Sequence, residues 1–373
     1  MVMTSLAASS TLPLISLYLV KDLHASLATA GLYYTCQALP GLVLGVVLGR
    51  RSDRWRTRVP LLRGALLWSG LGWLLFAAAP TPWLALVAGA LFLSVGGVVM
   101  GQTFAILADT MAENGETQRE LINTIVRTGW SFGFVFGPLL GTVVATAMGF
   151  RHTFAAAACL YLLCQVPLLG LKVAIPDAIR GGASGDRGGA NAMLLAFTAL
   201  CALAVSGQAI KNTYLPIDVT VHLKGSVRTY GTIVAVSPIV EVVVMPLSGV
   251  LAQKIAIGRL IAAGLILAVV EYLILTESTM IWQFYVTQAM DACVVAVIMG
   301  LGVTYAQRLS PRHPGAANGI FFSMFSVASI LGGLIGSATV PVLGVPHVFF
   351  IPAALCALMW AVFLGIDRRA QRE

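Results

Sequence analysis

Charge is what this chain lacks. Of its 373 residues only 10% are Asp, Glu, Lys or Arg, while 58% are hydrophobic, and the mean hydropathy is +0.89. A soluble domain needs a far more polar surface, so a soluble globular fold is excluded. Polar stretches are scarce as well. The only long one runs from Lys172 to Asn191, so the other connections have no room for a soluble catalytic or sensory domain. The loops are too short for a catalytic cluster of acids or histidines at the membrane surface; His24, His152, His222, His313 and His347 fall singly at run ends or in loops. An enzyme is therefore not expected. The six cysteines (Cys36, Cys159, Cys164, Cys201, Cys293 and Cys356) lie inside apolar runs and show no metal-ligand spacing. They read as small packing residues, with no metal and no cofactor implied. Met1 is followed almost at once by apolar residues, with no basic segment ahead of them and no convincing cleavage site, so no cleavable signal peptide is expected.

What remains is a series of apolar runs of about 20 residues, each long enough to cross about 30 Å of hydrocarbon as a helix. They are apolar on every side, without the polar–apolar alternation of a barrel strand. Twelve spans are expected: 2–20, 27–49, 59–79, 83–108, 120–148, 153–172, 193–220, 229–252, 259–276, 281–306, 316–342 and 347–366. The chain reads as an all-α integral membrane protein, embedded in a lipid bilayer. With the N-terminus inside, seventeen of the 23 lysines and arginines fall on the inner side. Four (Lys21, Arg151, Lys224 and Arg228) fall outside, and Arg127 and Lys211 lie within spans. That bias predicts both termini in the cytoplasm of a plasma (inner) membrane protein. The net charge of +8 is thus accounted for by topology, with no nucleic-acid partner expected.

The chain repeats itself. Residues 49–58 read GRRSDRWRTR, and residues 249–259 read GVLAQKIAIGR: a glycine closes an apolar run, a basic turn follows, and a second apolar run opens. One hairpin repeated per half is the mark of a secondary transporter built from two related bundles. The expected domains are a six-helix bundle at 1–172, a cytoplasmic linker at 173–192 and a second six-helix bundle at 193–373. This layout, together with Gly49, Asp53, Arg54 and the basic residues to Arg58, resembles the major facilitator superfamily and its loop between helices two and three. Arg56 departs from the pattern, where glycine is usual, and Gln253 replaces the acid in the second copy. The resemblance implies a major facilitator fold of 12 transmembrane helices in two six-helix bundles. Gly49, Asp53, Arg54 and Arg58 would then form a gating latch, made of surface ion pairs worth about 0–1 kcal/mol each. The competing reading is that these arginines fix topology alone.

Span five places Gly129, Gly133, Gly137 and Gly141 on one helix face, a smooth seam for close helix approach. With Pro138 inserted, Gly133–Gly141 resembles the G-x-x-x-G-P-x-x-G signature of major facilitator antiporters, which implies export. Gly133, Gly137 and Pro138 are accordingly gating candidates. Gly332, Gly333 and Gly336 form a looser counterpart in span eleven.

Ionisable residues inside spans are costly, at about 2.5–3.5 kcal/mol each on insertion scales, and mark function. They are Arg127, Lys211, Asp218, Glu241, Glu271 and Asp291. Counting inward at ~1.5 Å per residue brings Lys211, Glu241 and Asp291 to a common depth near the midplane. Glu241 or Asp291 is expected to carry the proton, with Lys211 modulating it; a static ion pair that sets helix register is the competing reading. Glu271, nearer the outer end of a span that is peripheral in the superfamily, is expected to be structural. Arg127 either snorkels to the inner surface or holds a substrate oxygen. Asp218 and His222, one turn apart, could form an outer pH-sensitive pair.

Asn212, Thr213, Asp218, Glu241, Gln288, the Pro311–Gly315–Ala317 turn, Leu32-Tyr33-Tyr34 and Arg127 before Gly137-Pro138 are together similar to the bacterial sugar efflux transporter family. Asp291 stands where that pattern usually has an amide. The resemblance implies a monomeric secondary transporter that exports small sugars or glycosides in exchange for protons. Amides and aromatic faces suit such a cargo, and Asn123, Arg127, Trp130, Gln208, Asn212 and Gln288 are the candidate substrate contacts. The same groups would serve an exporter of other small organic molecules or drugs, so composition leaves both cargoes open.

Overall fold

The computed structural model describes the chain except residues 53–54, 56, 114–118, 172, 174–191, 311–313 and 371–373. Within helices it also leaves undescribed the side chains of residues 46, 50, 108, 112–113, 119–125, 127–128, 314–316, 318 and 366–370. The 173–192 linker lies almost wholly outside the described residues, as do Asp53 and Arg54.

The described backbone is helical. In hydrocarbon no water satisfies a free N–H or C=O, so each span must close its hydrogen bonds internally. The helices are α1 (Val2–Asp22), α2 (Leu27–Ser52), α3 (Val59–Ala78), α4 (Pro82–Met111), α5 (Arg119–Met148) and α6 (Phe150–Leu163), then α7 (Ala192–His222), α8 (Val227–Leu251), α9 (Ile257–Thr276), α10 (Ile281–Leu309), α11 (Pro314–Leu343) and α12 (Phe350–Ala370). Among the described residues eleven helices are long and apolar enough to cross a membrane. The exception is α6. Its regular helix ends at Leu163, and a 3₁₀ turn at Val166–Leu168 contains Pro167, which cannot continue an α-helical ladder. The expected span of 153–172 is thus a shorter helix.

The chain divides into two compact units, Met1–Ala25 with Cys36–Gly185, and Ser26–Thr35 with Asp186–Glu373. In the first unit, Tyr18, Trp73, Phe76 and Phe154 form an aromatic core. Trp73 and Phe154 stack at 5.6 Å with ring planes 4° apart, and Tyr18 packs against Phe76 and Phe154. The Tyr18 hydroxyl lies 3.3 Å from the carbonyls of Phe76, Ala77 and Ala79, where α3 ends. In the second unit Phe197, Tyr305, Phe321 and Phe363 form the equivalent core. Outer faces are apolar, with Leu67, Leu71 and Leu74 exposed on α3 and Val242, Val243 and Leu247 on α8, as lipid-facing helices require.

The internal repeat extends to backbone detail. A π-helical turn ends α1 at Tyr18–Asp22 and α7 at Asp218–His222. Leu23 and Leu223 donate to the carbonyls of Tyr18 and Asp218 at 3.1 Å each, and Ala25 and Gly225 to those of Leu19 and Val219 at 2.8 Å each. His24 and Lys224 both have φ 53°, a left-handed conformation uncommon outside glycine. Ser26 and Ser226 then cap the next helices, accepting from the N–H of Thr29 and Thr229. Each partner lies 200 positions from its counterpart.

Candidate functional site

The second unit collects ionisable side chains that membrane burial would otherwise forbid. Helix periodicity presents Gln208 and Lys211 on one face of α7, Ser237 and Glu241 on one face of α8, and Gln288 and Asp291 on one face of α10. Lys211, Glu271 and Asp291 are 2%, 1% and 5% exposed. Lys211 Nζ donates to Glu271 Oε1 at 3.0 Å and pairs with Asp291 Oδ1. The Tyr272 ring centroid lies 6.0 Å from the same nitrogen. Gln208 Nε2 donates to Asp291 Oδ1, and the Ser237 hydroxyl lies 3.0 Å from Asp291 Oδ2. The same hydroxyl is 3.1 Å from Glu241 Oε1.

Such an arrangement is tolerated in a low-dielectric interior only because each charge has a partner; removing one partner of a buried pair typically costs about 3–5 kcal/mol. It holds one base and three acids. A net excess of carboxyl groups around one lysine can store and release a proton while the lysine changes partner. Lys211 and Asp291 come together as the sequence leads one to expect, and Glu241 joins them through Ser237; Gln208, a candidate cargo contact, bonds to Asp291. Glu271 differs from expectation in place: it is a direct partner of Lys211 and lies within the cluster. Counting depth along the backbone misses it because the long lysine stem carries the charge several Å from its own Cα. Gln288, 3% exposed, has a buried Nε2 with no hydrogen-bond partner among the described residues. Asn212 is half-buried on α7. Asp218 lies 3.1 Å from His222 Nδ1, so that pair forms at the end of α7.

In the first unit the basic loop is anchored inward. Arg58 Nε donates to Asp109 Oδ2 of α4 at 2.9 Å, and its Nη1 to Ser52 Oγ at 3.1 Å. Gln102 Nε2 also donates to Ser52 Oγ, and Ser52 donates to the carbonyl of Gly49 at 2.7 Å. Arg58 is 8% and Asp109 3% exposed. A weak surface pair, as expected for Arg58, is therefore replaced by a buried one. Asp109 was hidden from the sequence reading because α4 continues past the apolar run that ends at 108.

The glycine seam of α5 packs on the serines of α1. Ser9 Oγ donates to the Gly133 carbonyl at 2.7 Å. A Cβ placed on Gly133, Gly137 or Gly141 would run into Ser5, Ser9 or Ser10 respectively. In the second unit Gly332 and Gly336 of α11 press in the same way on Ser206 and Tyr214 of α7. Pro138 lies within α5, and Trp130 packs on Phe134 at 5.4 Å. The side chains of Asn123 and Arg127 lie outside the described residues.

A family model described as the Major Facilitator Superfamily matches residues 1–205 and again residues 193–373. The chain belongs to the major facilitator superfamily. As a member it is a multi-pass membrane transporter and not an enzyme. It is 29% identical to a protein of Deinococcus radiodurans named putative sugar efflux transporter, over 98% of this chain and 95% of that one. Sugar efflux transporter A of Dickeya chrysanthemi is 26% identical over 96% of this chain and 93% of its own length. Among solved structures, the nucleoside transporter NupG superposes with a TM-score of 0.83 at 14% identity, over 98% of this chain and 96% of that one. The peptide transporter POT in complex with sulfate gives 0.80 at 14% identity, over 100% and 93%. At those identities the likeness concerns the fold alone.

Proposed function

We propose that this superfamily member exports small sugars or glycosides from the cytoplasm by alternating access, in exchange for protons. Both termini are cytoplasmic in this reading, and the protein works as a monomer in the inner membrane. The cargo class rests on relatives named as sugar efflux transporters, similar over nearly the whole chain. The observation that carries the coupling is Lys211 held between Glu271 and Asp291 inside membrane-spanning helices. A buried lysine with two acids is a costly way to fix helix register and a natural way to exchange a proton for a change of ion-pair partner. Gln288 is a cargo contact in this reading, supported by its amide nitrogen, which has no hydrogen-bond partner among the described residues and lies one turn from Asp291. Asn212 and Trp130, with Asn123 and Arg127, remain further candidate contacts. Gly49, Asp53, Arg54, Arg58, Gly133, Gly137 and Pro138 serve gating.

Inverted membrane vesicles test this reading. A labelled glucoside should accumulate when the lumen is acidic and should fail to accumulate without the gradient. Accumulation of a labelled amphipathic drug in place of every glucoside tried would replace the cargo with another small organic molecule.

A further inference from the structure

The position of Ser237 carries more than packing. It is 6% exposed on α8, one turn from Glu241, and its Oγ lies 3.1 Å from Glu241 Oε1 and 3.0 Å from Asp291 Oδ2. A serine hydroxyl holds one hydrogen and so can donate into only one of two carboxylates. Both contacts are hydrogen bonds only when one carboxyl is protonated and donates into Oγ. Asp291 is already engaged on its other oxygen, Oδ1, as the ion-pair partner of Lys211 and the acceptor of Gln208. The added proton then belongs to Glu241, the more open of the two acids. The charged groups facing this point are Lys211 from α7, Glu271 from α9 and Asp291 from α10, with the Tyr272 ring beside the lysine.

We propose that the Ser237 hydroxyl relays a proton between Glu241 and Asp291. This inference rests on the proton-coupled reading above. In the transfer the Glu241 O–H bond breaks as a new O–H bond forms on Ser237 Oγ. The original serine O–H breaks as Asp291 Oδ2 takes its hydrogen. Serine is regenerated, one negative charge moves from Asp291 to Glu241, and no co-reactant is consumed. Neutral Asp291 ceases to be an ionic partner, and Lys211 keeps Glu271 alone. The proton's path from the more open acid to the enclosed one thus ends in a change of ion pairing.

The test is the ratio of protons to glucoside moved by the purified full-length protein in liposomes loaded with a pH-sensitive dye. Ser237→Ala is expected to lose most of that ratio, and Ser237→Thr, which keeps a hydroxyl at the same position, to restore it. A Ser237→Ala protein with the wild-type ratio overturns the relay, as does one that loses proton and glucoside movement in equal proportion, since that is a structural defect. A wild-type protein that moves glucoside with no protons overturns the coupled reading itself, and the relay with it.

Discussion

Lys211 and Glu271 form an ion pair at 3.0 Å between two side chains that are each at least 97% enclosed. The lysine also holds Asp291, so α7, α9 and α10 meet at one ammonium group. Glu271→Ala should therefore be costly, about 3–5 kcal/mol, because it takes one of the two carboxylates from a buried cation. Lys211→Met should cost a similar amount, since it leaves Glu271 and Asp291 without their cation. The triple variant Lys211→Met, Glu271→Gln, Asp291→Asn should recover most of that stability. Thermal unfolding in detergent measures this; singles and triple of equal stability would contradict it.

The Arg58–Asp109 pair offers a parallel case in the first unit. Asp109→Ala is expected to destabilise that unit by about 3–5 kcal/mol, because the guanidinium beside it is buried. Arg58→Lys should not substitute, since Nε and Nη1 bond separately to Asp109 and Ser52 and an ammonium cannot reproduce that fork. Limited proteolysis of the membrane-embedded protein reads the loosening of this loop.

The α1–α5 seam predicts a size limit. Gly137→Val should cost about 1–3 kcal/mol by overpacking, because even a Cβ there meets Ser9. Pairing the smaller change Gly137→Ala with Ser9→Gly should return part of the loss, an interaction that a double-mutant cycle on unfolding midpoints measures. Strict additivity of the two changes would contradict the contact.

Much of this molecule was legible in the chain itself. Apolar runs without alternation specify membrane helices, and Gly49 and Gly249 mark a repeat that the backbone carries through His24 and Lys224. The spacing of Gly133, Gly137 and Gly141 marks a face where helices touch. Other features were not legible, each for a physical reason. Glu271 looked too shallow because a lysine side chain reaches across turns of helix. Asp109 fell beyond the apparent end of its span because hydropathy marks where apolar residues stop and helices can run on. The shortness of α6 follows from Pro167, which sits inside an apolar run and leaves hydropathy unchanged. Ser237 gave no signal at all: only the approach of α10 turns an ordinary serine into a bridge between two acids.

The central claim is that carboxyl groups around Lys211 carry the proton that drives export. The most direct measurement is acid-lumen-driven accumulation of labelled glucoside in inverted vesicles bearing Glu241→Gln or Asp291→Asn, compared with wild type. Each variant is expected to lose gradient-driven accumulation, because neither amide can take up and release a proton. Full gradient-driven accumulation in both variants would contradict the account.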